Sequence, residues 1–409
     1  MRLALAVSEF PSASQTFVLD HAIGLMERGH AVELHAEARG RQMHLSDALV
    51  SKVRYSPRRV KASPAIELAG LLLRQWRQWG QHPRTTWRVL QTGGGRAERL
   101  RHCLTLMAGG KRYDVVHAHS GYNGQRLLPL YSAGYLSAPL VVTFHGHDVH
   151  AYLESKSRDH YQVLFQRAAA LVVCSELMER RLCALGAPES KLHRIPNGIS
   201  LKQLPCVLRD PPQRRPLRWL AVGRLVPFKG FDLLLSALGL PVWRQREWRL
   251  DLIGDGPERA ALMAQAGQLG IADRVVFHGS ASREVVRAHL QSSDAFVSPV
   301  IVDARGNTET QGVAVLEAMA SGIPIIASDA GALPETLGGT AVALVPTGRP
   351  EQLAMAMVDC WSDPRRLRQQ VEAARRRIEQ HYSASTWLDR LEQLYRDVRL
   401  SSVPGQTSR

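Results

Sequence analysis

The sequence is poor in cysteine and has no cysteine pattern. Its 409 residues include five cysteines, an odd number, scattered without a C-x-x-C pair or a recurring spacing to histidine. Such a set predicts neither a disulfide framework nor a structural zinc site. We therefore expect a protein of a reducing compartment, the cytoplasm.

Long apolar runs are also missing. No stretch approaches the roughly 18 uninterrupted apolar residues of a membrane span. The run from Leu3 to Val7 is followed at once by Ser8 and Glu9, so it is shorter than a signal-peptide core and predicts a first strand. We expect no transmembrane anchor. The sequence shows no internal repeat either.

Acidic residues are outnumbered, and the basic excess is uneven. The chain has 52 Lys and Arg against 37 Asp and Glu, a formal net charge of +15. Between Lys52 and Arg112, 14 basic residues stand against two acids, interleaved with tryptophans. Arginine, tryptophan and leucine together are typical of a surface on anionic lipid, and also of one that binds nucleic acid. An arginine-rich solvated surface explains the segment equally well.

Continuously apolar strands indicate the fold class. The length suits two domains of about 200 residues, and a hydrophobic content of 45% supplies two cores. Strands at 3–7, 115–119, 140–144 and 250–253 are apolar throughout, as parallel strands covered on both faces are. We predict an α/β protein with two doubly wound sheets.

A proline-rich stretch separates two series of predicted strands. The first series is 2–7, 31–35, 114–118, 139–144, 171–174 and 192–195, and the second is 217–222, 249–253, 274–278, 295–298, 323–327 and 341–345. Prolines between them predict an interdomain linker. The predicted organisation is an N-terminal domain 1–202, a linker 203–216, a C-terminal domain 217–384, a helix 385–400 and a tail 401–409.

Two glutamates lie eight residues apart across a glycine in the most informative stretch, 306–324. Gly312 lets backbone approach a ligand closely, and 313–320 predict a short helix. Glu309 then lies in a loop and Glu317 on the helix behind it. A loop that opens a helix suits a phosphate, and carboxylates beside it accept hydrogen bonds from sugar hydroxyls. This pattern predicts a nucleotide-sugar site.

A basic glycine turn follows the first strand of the second series. Gly223, Arg224 and Lys229 precede a predicted helix that begins at Phe231. Two cations near a helix start can hold a diphosphate, on which negative charge builds as a sugar leaves. We predict that this turn binds the diphosphate.

Histidines cluster in the first half of the chain. His145 and Asp148 lie just beyond the carboxyl end of a predicted strand, where open α/β sheets bind ligands. His117 and His119 lie at the end of a neighbouring strand. A zinc site can be imagined from these histidines and His147, but we predict no metal.

These motifs together resemble the family-4 group of retaining glycosyltransferases. The order Glu309, seven residues, Glu317, followed by Ala-Met-Ala-x-Gly-x-Pro, is similar to that family's pattern. The resemblance covers nearly the whole chain. It implies the GT-B fold, in which two Rossmann-like domains face a central cleft that holds the ligand. By the same resemblance, domain 1–202 would bind the acceptor, domain 217–384 would bind the nucleotide-sugar donor, and the helix 385–400 would cross back to the N-terminal domain. It also implies transfer of a sugar from a nucleotide diphosphate, expected to be UDP, to a glycan acceptor, without a cofactor or a metal.

The resemblance also implies residue roles. Arg224 and Lys229 would bind the donor diphosphate, Glu309 the donor sugar, Glu317 the ribose and His145 the transferred sugar. The predicted catalytic set is His145, Arg224, Lys229 and Glu309. The predicted donor-binding set is Ser14, Gly223, Arg224, Lys229, Gly256, Gln311, Gly312, Val313 and Glu317. The turn at Gly256 is expected to shape the base-binding side of the cleft, and Pro196-Asn197-Gly198 matches a motif of the family. A turn without any contact to a ligand is the alternative for both segments.

The first loop indicates which enzymes within the large family-4 group this sequence resembles. Residues 10–17, Phe-Pro-Ser-Ala-Ser-Gln-Thr-Phe, are similar to the loop of glycosyltransferases of the colanic acid and amylovoran type, which build extracellular polysaccharides. Gln15 replaces the Glu of that loop and removes a charge. Ser14 can still hydrogen-bond a phosphate, or simply cap a helix. With the basic segment, this predicts a peripheral enzyme at the inner face of the cytoplasmic membrane with a lipid-linked acceptor.

Alternatives remain at this point. A GT-B protein can hydrolyse or epimerise a nucleotide sugar, and a basic protein with a vestigial sugar site can bind a membrane or nucleic acid. Retention leaves two routes: attack on the same face with the departing phosphate taking the proton, or a covalent intermediate on a side chain. We favour the first because the sequence offers no evident nucleophile.

Overall fold

The computed structural model describes most of the chain. The described residues are 1–12, 16–40, 47–56, 83–91, 112–150, 152–157, 159–209 and 216–401, with isolated positions 66, 69, 70, 73, 103 and 106. The chain divides into two compact units. The first comprises Met1–Cys174, Met178–Ile195 and Leu388–Arg409, and the second Ser175–Leu177 and Pro196–Trp387.

The first unit is built on a parallel sheet. Its described strands are β1 (Arg2–Phe10), β2 (Ala31–Arg39), β3 (Val53–Tyr55), β4 (Val115–His119), β5 (Leu140–Phe144), β6 (Ala170–Val173) and β7 (Leu192–Arg194). Their order across the sheet is β3-β2-β1-β4-β5-β6-β7. The helices are α1 (Thr16–Glu27), α2 (Asp47–Val50), α3 (Pro83–Gln91), α4 (Gly121–Ser132), α5 (Gln162–Arg167) and α6 (Glu176–Ala184).

The second unit repeats the design with one strand fewer among the described residues. Its strands are β8 (Leu217–Val222), β9 (Trp248–Ile253), β10 (Val275–Gly279), β11 (Ala295–Ser298), β12 (Ile325–Ser328) and β13 (Leu344–Val345), in the parallel order β10-β9-β8-β11-β12-β13. The helices are α7 (Phe231–Leu238), α8 (Arg259–Gln268), α9 (Arg283–Ser292), α10 (Val313–Ser321), α11 (Leu333–Leu337), α12 (Pro350–Asp359) and α13 (Pro364–Arg377).

Apolar strands explain both cores. Strands β4 and β5 are buried along their whole length, because helices cover both faces of a doubly wound sheet. In the second unit, Trp219 on β8 is fully buried and meets Trp243 edge to face, with ring centroids 5.8 Å apart. Aromatic pairs of this geometry contribute about 0.5–1.5 kcal/mol beyond the area they bury.

The last helix, α14 (Ala384–Ser401), packs on the first unit. Leu388 lies so close to Gly24 of α1 that a Cβ at that position would overlap it. Arg28 pairs with Asp389 at 2.6 Å, and the His30 ring contacts Glu392 at 2.7 Å. A stretch at the end of the sequence therefore completes the fold of its first half.

The predicted fold class is confirmed: both sheets are parallel and doubly wound. All twelve predicted strands are present with ends shifted by at most a few residues, whereas β3 was not predicted. That strand has three residues, lies at the sheet edge and exposes Arg54, so it lacks the apolar run that marks the others.

Some predicted segments lie outside the described residues. These are most of the basic stretch between Lys52 and Arg112, residues 210–215 of the predicted linker, and the tail from 402 onward. Within the described part, no helix is both long enough and apolar enough to span a bilayer.

Candidate functional site

Two turns at the carboxyl end of the second sheet are joined by backbone hydrogen bonds. The N–H of Gly223, after β8, donates to the carbonyl of Ile253, and that of Leu225 donates to the carbonyl of Asp255, at 2.9 and 3.0 Å. Gly256 approaches Leu225 so closely that a Cβ there would overlap the Leu225 carbonyl. The two predicted glycine turns therefore form one rigid platform.

Lys229 ends a single helical turn on this platform. Gly230 follows it at φ 65°, a left-handed conformation that favours glycine, and so starts α7. The lysine stem lies over Gly223, where an added Cβ would be 3.2 Å from Lys229 Cε. Glycine at 223 thus leaves room for the lysine chain.

The Lys229 ammonium meets Glu309. Its Nζ lies 2.5 Å from Glu309 Oε2, and the two side chains are only 17% and 14% exposed. The motifs that contribute them are separated by 80 residues, and the fold brings them into contact. A charge-assisted hydrogen bond this shielded is stronger than a surface ion pair.

Backbone groups hold the same carboxylate. Glu309 Oε1 accepts the N–H groups of Thr310 and Gln311 at 3.1 and 3.4 Å. Burial alone would raise the pKa of Glu309, but Lys229 and the backbone N–H groups of Gln311 and Gly312 outweigh it and hold the pKa below its ordinary value. Glu309 is therefore ionised at neutral pH.

Helix α10 begins directly beneath this pair. Gly312, the N-cap, has φ 83° and no side chain of its own to cap the helix, and its N–H bonds the Glu309 carboxylate, so the backbone donors of the first helical turn and the positive end of the helix dipole remain at this amino end. Val313 is the first helical residue, and Glu317 lies one turn further along, half buried. The predicted short helix at 313–320 is confirmed.

Gln311 has a structural partner that the sequence did not indicate. Its amide oxygen accepts the backbone N–H and the side-chain amide of Asn197, at 3.1 and 2.8 Å, and its nitrogen donates to the Asn197 carbonyl at 2.8 Å. Both residues are buried. The Asn-Gly turn thus anchors the glutamate loop, a role that the sequence analysis did not predict.

Arg224 is placed differently from Lys229. It lies on the same turn but is exposed. Within the part of the chain that the structure describes, its guanidinium makes no hydrogen bond or ion pair. The site therefore combines one cation that is already paired with one that is available to a ligand.

His145 lies in the first unit, at the carboxyl end of β5. Asp148 fixes its backbone: Oδ1 accepts the N–H groups of His145 and Gly146 at 3.0 and 2.9 Å, and Oδ2 accepts the N–H of Gly121 at 2.9 Å. Burial raises the pKa of Asp148 despite these bonds. Asp148 is thus a clamp on the loop that presents His145.

Phe17 is a neighbour of His145 that the sequence did not single out. Its ring centroid lies 4.4 Å from that of His145, so the first-loop motif delivers an aromatic ring to this site. Ser14, predicted to bind the donor, lies outside the described residues.

A chain of hydrogen bonds continues inward from His145. His145 Nε2 contacts His119 Nδ1 at 3.1 Å, and His119 Nε2 contacts His21 Nδ1 at 2.9 Å. His21 Nε2 meets the Tyr395 hydroxyl at 3.0 Å, and that hydroxyl meets His117 Nδ1 at 2.5 Å. His117 Nε2 ends the chain on Thr143 Oγ1 at 2.6 Å.

Histidine and carboxylate clusters bear on the predicted absence of a metal. In the described ranges, two groups of three side chains bring their ligand atoms within 4.8 Å, one of His21, His117 and His119 and one of Asp251, His278 and His289. The ring nitrogens of the first group are used in the chain just described. Asp251 also pairs with two arginines, whose charge opposes a cation. His147 is exposed and joins neither group.

The predicted residues therefore form two clusters. Gly223, Lys229, Glu309 and Gly312 meet in the second unit, with Arg224 and Glu317 on the same elements. His145 anchors a separate cluster in the first unit. A helix amino end with cations beside it, at the carboxyl end of a doubly wound sheet, is the kind of place where α/β proteins bind phosphate groups.

Known structures share this architecture. The chain is similar in fold to the Alr3699/HepE protein of Anabaena, solved in complex with UDP and glucose, with a TM-score of 0.69 at 18% identity over 98% of this chain and 100% of that one. This likeness confirms the predicted GT-B fold.

Family models and relatives are more specific. Residues 14–203 match the model "Glycosyltransferase Family 4", and residues 216–363 match "Glycosyl transferases group 1". The chain belongs to the glycosyltransferases that these two models describe. It is 28% identical to a putative colanic acid biosynthesis glycosyltransferase, WcaL, of Salmonella typhimurium (88% of this chain, 90% of the relative). It is also 27% identical to the amylovoran biosynthesis glycosyltransferase AmsK of Erwinia amylovora (94% and 96%). The predicted resemblance is confirmed.

Proposed function

We propose that this glycosyltransferase moves a sugar from a UDP-sugar, with retention of configuration, to a lipid-linked glycan in the synthesis of an extracellular polysaccharide. The observation that carries the proposal is the contact of Lys229 and Glu309 above the amino end of α10. The likeness to polysaccharide-building relatives supports the pathway class.

The diphosphate is the first demand of the reaction. Arg224 has no partner among the described residues, so its guanidinium can take a phosphate in a bidentate manner. Lys229 exchanges its contact with Glu309 for the diphosphate when the donor binds. The positive amino end of α10 also attracts the negative phosphate groups.

The sugar is the second demand. Glu309 is ionised, and its carboxylate is held by backbone donors on one oxygen. Release of Lys229 leaves the other oxygen to accept a sugar hydroxyl. Glu317 on α10 takes the ribose hydroxyls, and His145 contacts the transferred sugar.

The chemistry then follows from charge. The bond between the anomeric carbon and the phosphate oxygen breaks, and a new bond forms from that carbon to the acceptor oxygen on the same face. The acceptor proton passes to the departing phosphate oxygen. Arg224 and Lys229 stabilise the negative charge that builds there, so we propose that these cations take the part that a metal ion plays elsewhere, and that EDTA leaves the rate unchanged.

The acceptor side rests on the basic segment of the sequence. The segment has fourteen Lys and Arg between Lys52 and Arg112. Each basic residue close to an anionic membrane contributes about 1 kcal/mol to the binding free energy. Cosedimentation with vesicles containing phosphatidylglycerol, compared with vesicles of phosphatidylcholine alone, tests this; equal binding to both removes the lipid proposal.

Donor binding is the decisive experiment. Thermal unfolding is followed with UDP-, GDP-, ADP- and TDP-sugars for the wild type and for Lys229→Met. The exposed Lys202→Met serves as a matched control on the same unit. A ligand at 100 times its Kd stabilises the fold by about 2.7 kcal/mol, so we expect a shift with UDP-sugars that Lys229→Met loses and Lys202→Met keeps.

Other outcomes contradict the proposal in distinct ways. If the unfolding temperature rises only with sugars of another nucleotide, the proposed base, uracil, is wrong and the rest of the proposal stands. A shift that survives in Lys229→Met removes the proposed diphosphate site. Membrane lipid extract supplies the lipid-linked acceptor. If UDP is released at the same rate with and without this extract, the hydrolase alternative is favoured. An inverted anomeric configuration of the product, measured by proton NMR, overturns retention.

A further inference from the structure

The hydrogen-bonded chain behind His145 has a defined number of protons. It has six groups in sequence: Thr143, His117, Tyr395, His21, His119 and His145. Five links join them, at 2.6, 2.5, 3.0, 2.9 and 3.1 Å. All lie in the first unit, on strands β4 and β5, the residue after β5, helix α1 and helix α14.

Every histidine in this chain is neutral. Burial lowers the pKa of His21, His117 and His145 well below its ordinary value, and lowers that of His119 to about 3. A neutral imidazole donates from one nitrogen and accepts at the other. Each of the six groups therefore carries one proton for the chain.

The Tyr395 hydroxyl oxygen can accept from both His117 and His21 only if its own buried proton has no acceptor among the described residues, which costs about 1–3 kcal/mol. With Tyr395 donating to one of its two neighbours, two arrangements satisfy all five links. In one, each proton points toward His145: the threonine donates to His117 Nε2, and every histidine carries its proton on Nδ1. In the other, each proton points away from His145, and every histidine carries its proton on Nε2. The arrangement is collective because reversing one link forces its neighbours to reverse.

The environment of Thr143, at the inner end of the chain, decides which of the two proton arrangements is present. The threonine side chain is buried, at 4% exposed, and His117 is its single side-chain partner in the described ranges. If His117 donated, the threonine hydroxyl proton would be buried without an acceptor, which costs about 1–3 kcal/mol. The threonine therefore donates, and the protons point toward His145.

We propose that this chain fixes His145 as the Nδ1–H tautomer, so that it meets the transferred sugar as a hydrogen-bond donor and not as a base. The proposal rests on the proposed function, in which His145 contacts that sugar. Thr143, His117, Tyr395, His21 and His119 are positioning residues, since each acts through its neighbour. A His145 that cannot accept a proton leaves the departing phosphate to take the acceptor proton.

The tautomers can be observed without any substrate. The full chain, labelled with ¹⁵N histidine, gives two-bond and three-bond correlations between ring protons and ring nitrogens that distinguish Nδ1–H from Nε2–H. His→Gln substitutions at positions 21, 117, 119 and 145 assign the signals, and buried His35 outside the chain is the internal reference. We expect Nδ1–H for all four, and Nε2–H at His145 overturns the proposal.

A substitution at the far end tests the effect on the reaction. Thr143→Val keeps the β-branched shape and removes the hydroxyl, while Thr143→Ser keeps the donor. Thr340→Val, which loses a buried hydroxyl bonded to Leu337, is the matched control. We expect Thr143→Val to show mixed tautomers at His145 and about a tenfold lower kcat for UDP release from UDP-glucose, on the scale of outer-shell effects. KM for UDP-glucose stays unchanged and Thr143→Ser recovers kcat.

Two further outcomes are informative. If Thr143→Val changes the tautomers but not kcat, the positioning role is overturned, whereas loss of UDP-glucose binding in the wild type removes only the proposed function and leaves the tautomer result intact. If Thr143→Val does not fold, Tyr395→Phe interrupts the same chain, and Tyr131→Phe, which loses its bond to the Ala138 carbonyl, is its control. Equal tautomers in both tyrosine variants contradict the proposal.

Discussion

The two units present polar groups at the carboxyl ends of similar sheets, but by opposite physical means. The second unit uses net charge: an ammonium and a carboxylate at 2.5 Å, above a helix amino end. In the first unit, a chain of neutral rings and hydroxyls, which carries no net charge, links Thr143 to His145. The same fold thus carries an ion pair at the end of one sheet and a neutral hydrogen-bonded chain at the end of the other.

The difference shows what each unit can do. Charges stabilise the negative diphosphate that departs, and they remain effective over several ångströms. Neutral rings add no field of that size, but they decide which atom carries a proton. The two units should therefore respond differently to loss of a group and to acid.

The largest expected effect is the loss of the lysine. Lys229→Met removes the cation from the diphosphate and leaves Glu309 without its ion pair. We expect kcat for UDP release from UDP-glucose to fall about 10³-fold, the upper range for one charge-stabilising donor, while Lys202→Met stays at the wild-type rate. A loss under tenfold would show that Arg224 alone supports the leaving group.

Acid should weaken the first unit before the second. The folded pKa values of four histidines lie below the unfolded value of about 6.5, so the unfolded state binds protons first as pH falls. Stability from these groups is present above about pH 6.5 and declines toward pH 3, by about 3 kcal/mol at pH 4 for one histidine alone.

Hydrogen exchange separates the units in that experiment. Peptides from β4 and β5 should lose protection between pH 6.5 and 4, while peptides from β8 and β9 keep theirs. The fluorescence of the buried tryptophans of the second unit, Trp219, Trp243, Trp248 and Trp387, should change at lower pH than the exchange in β4 and β5. Earlier loss in β8 and β9 would contradict the comparison.

Glu309→Gln sharpens the comparison from the other side. The folded pKa of Glu309 is depressed, so its stabilisation is complete above the unfolded pKa of about 4.5 and is lost as pH falls through the lower folded value. We expect the variant to be less stable than the wild type by about 1–3 kcal/mol at pH 7. The gap measured by urea unfolding should close below pH 4; a gap that does not depend on pH would show that the charge is not the cause.

Gly223→Ala should have the smallest effect. The added methyl lies 3.2 Å from Lys229 Cε, which is close enough to move the flexible stem without disturbing the backbone. We expect KM for UDP-glucose to rise about threefold with the melting temperature unchanged. Gly267→Ala, which has open space around it on α8, is the control, and an equal change in both variants would remove the explanation.

Sequence patterns predicted elements and motifs better than partners. The strands of both sheets, α10 and the Lys229 and Glu309 motifs follow from apolar runs, glycines and local spacing. Tyr395 and His21 are 374 residues apart and carry no mark of their meeting, because the contact depends on how α14 packs on α1. The pair of Asn197 and Gln311 was missed because the two residues are 114 positions apart and meet only when the second unit is folded.

Placement of α14 has a consequence for how the protein is made. Leu388 covers Gly24, and Tyr395 supplies the central hydroxyl of the chain behind His145. A ribosome produces those residues only after the whole second unit has emerged, whereas N-terminal domains ordinarily fold first during synthesis. Until α14 has been made, the apolar surface of α1 around Gly24 stays uncovered and the polar core lacks the Tyr395 hydroxyl, so the first unit can finish folding only after the second unit has been translated.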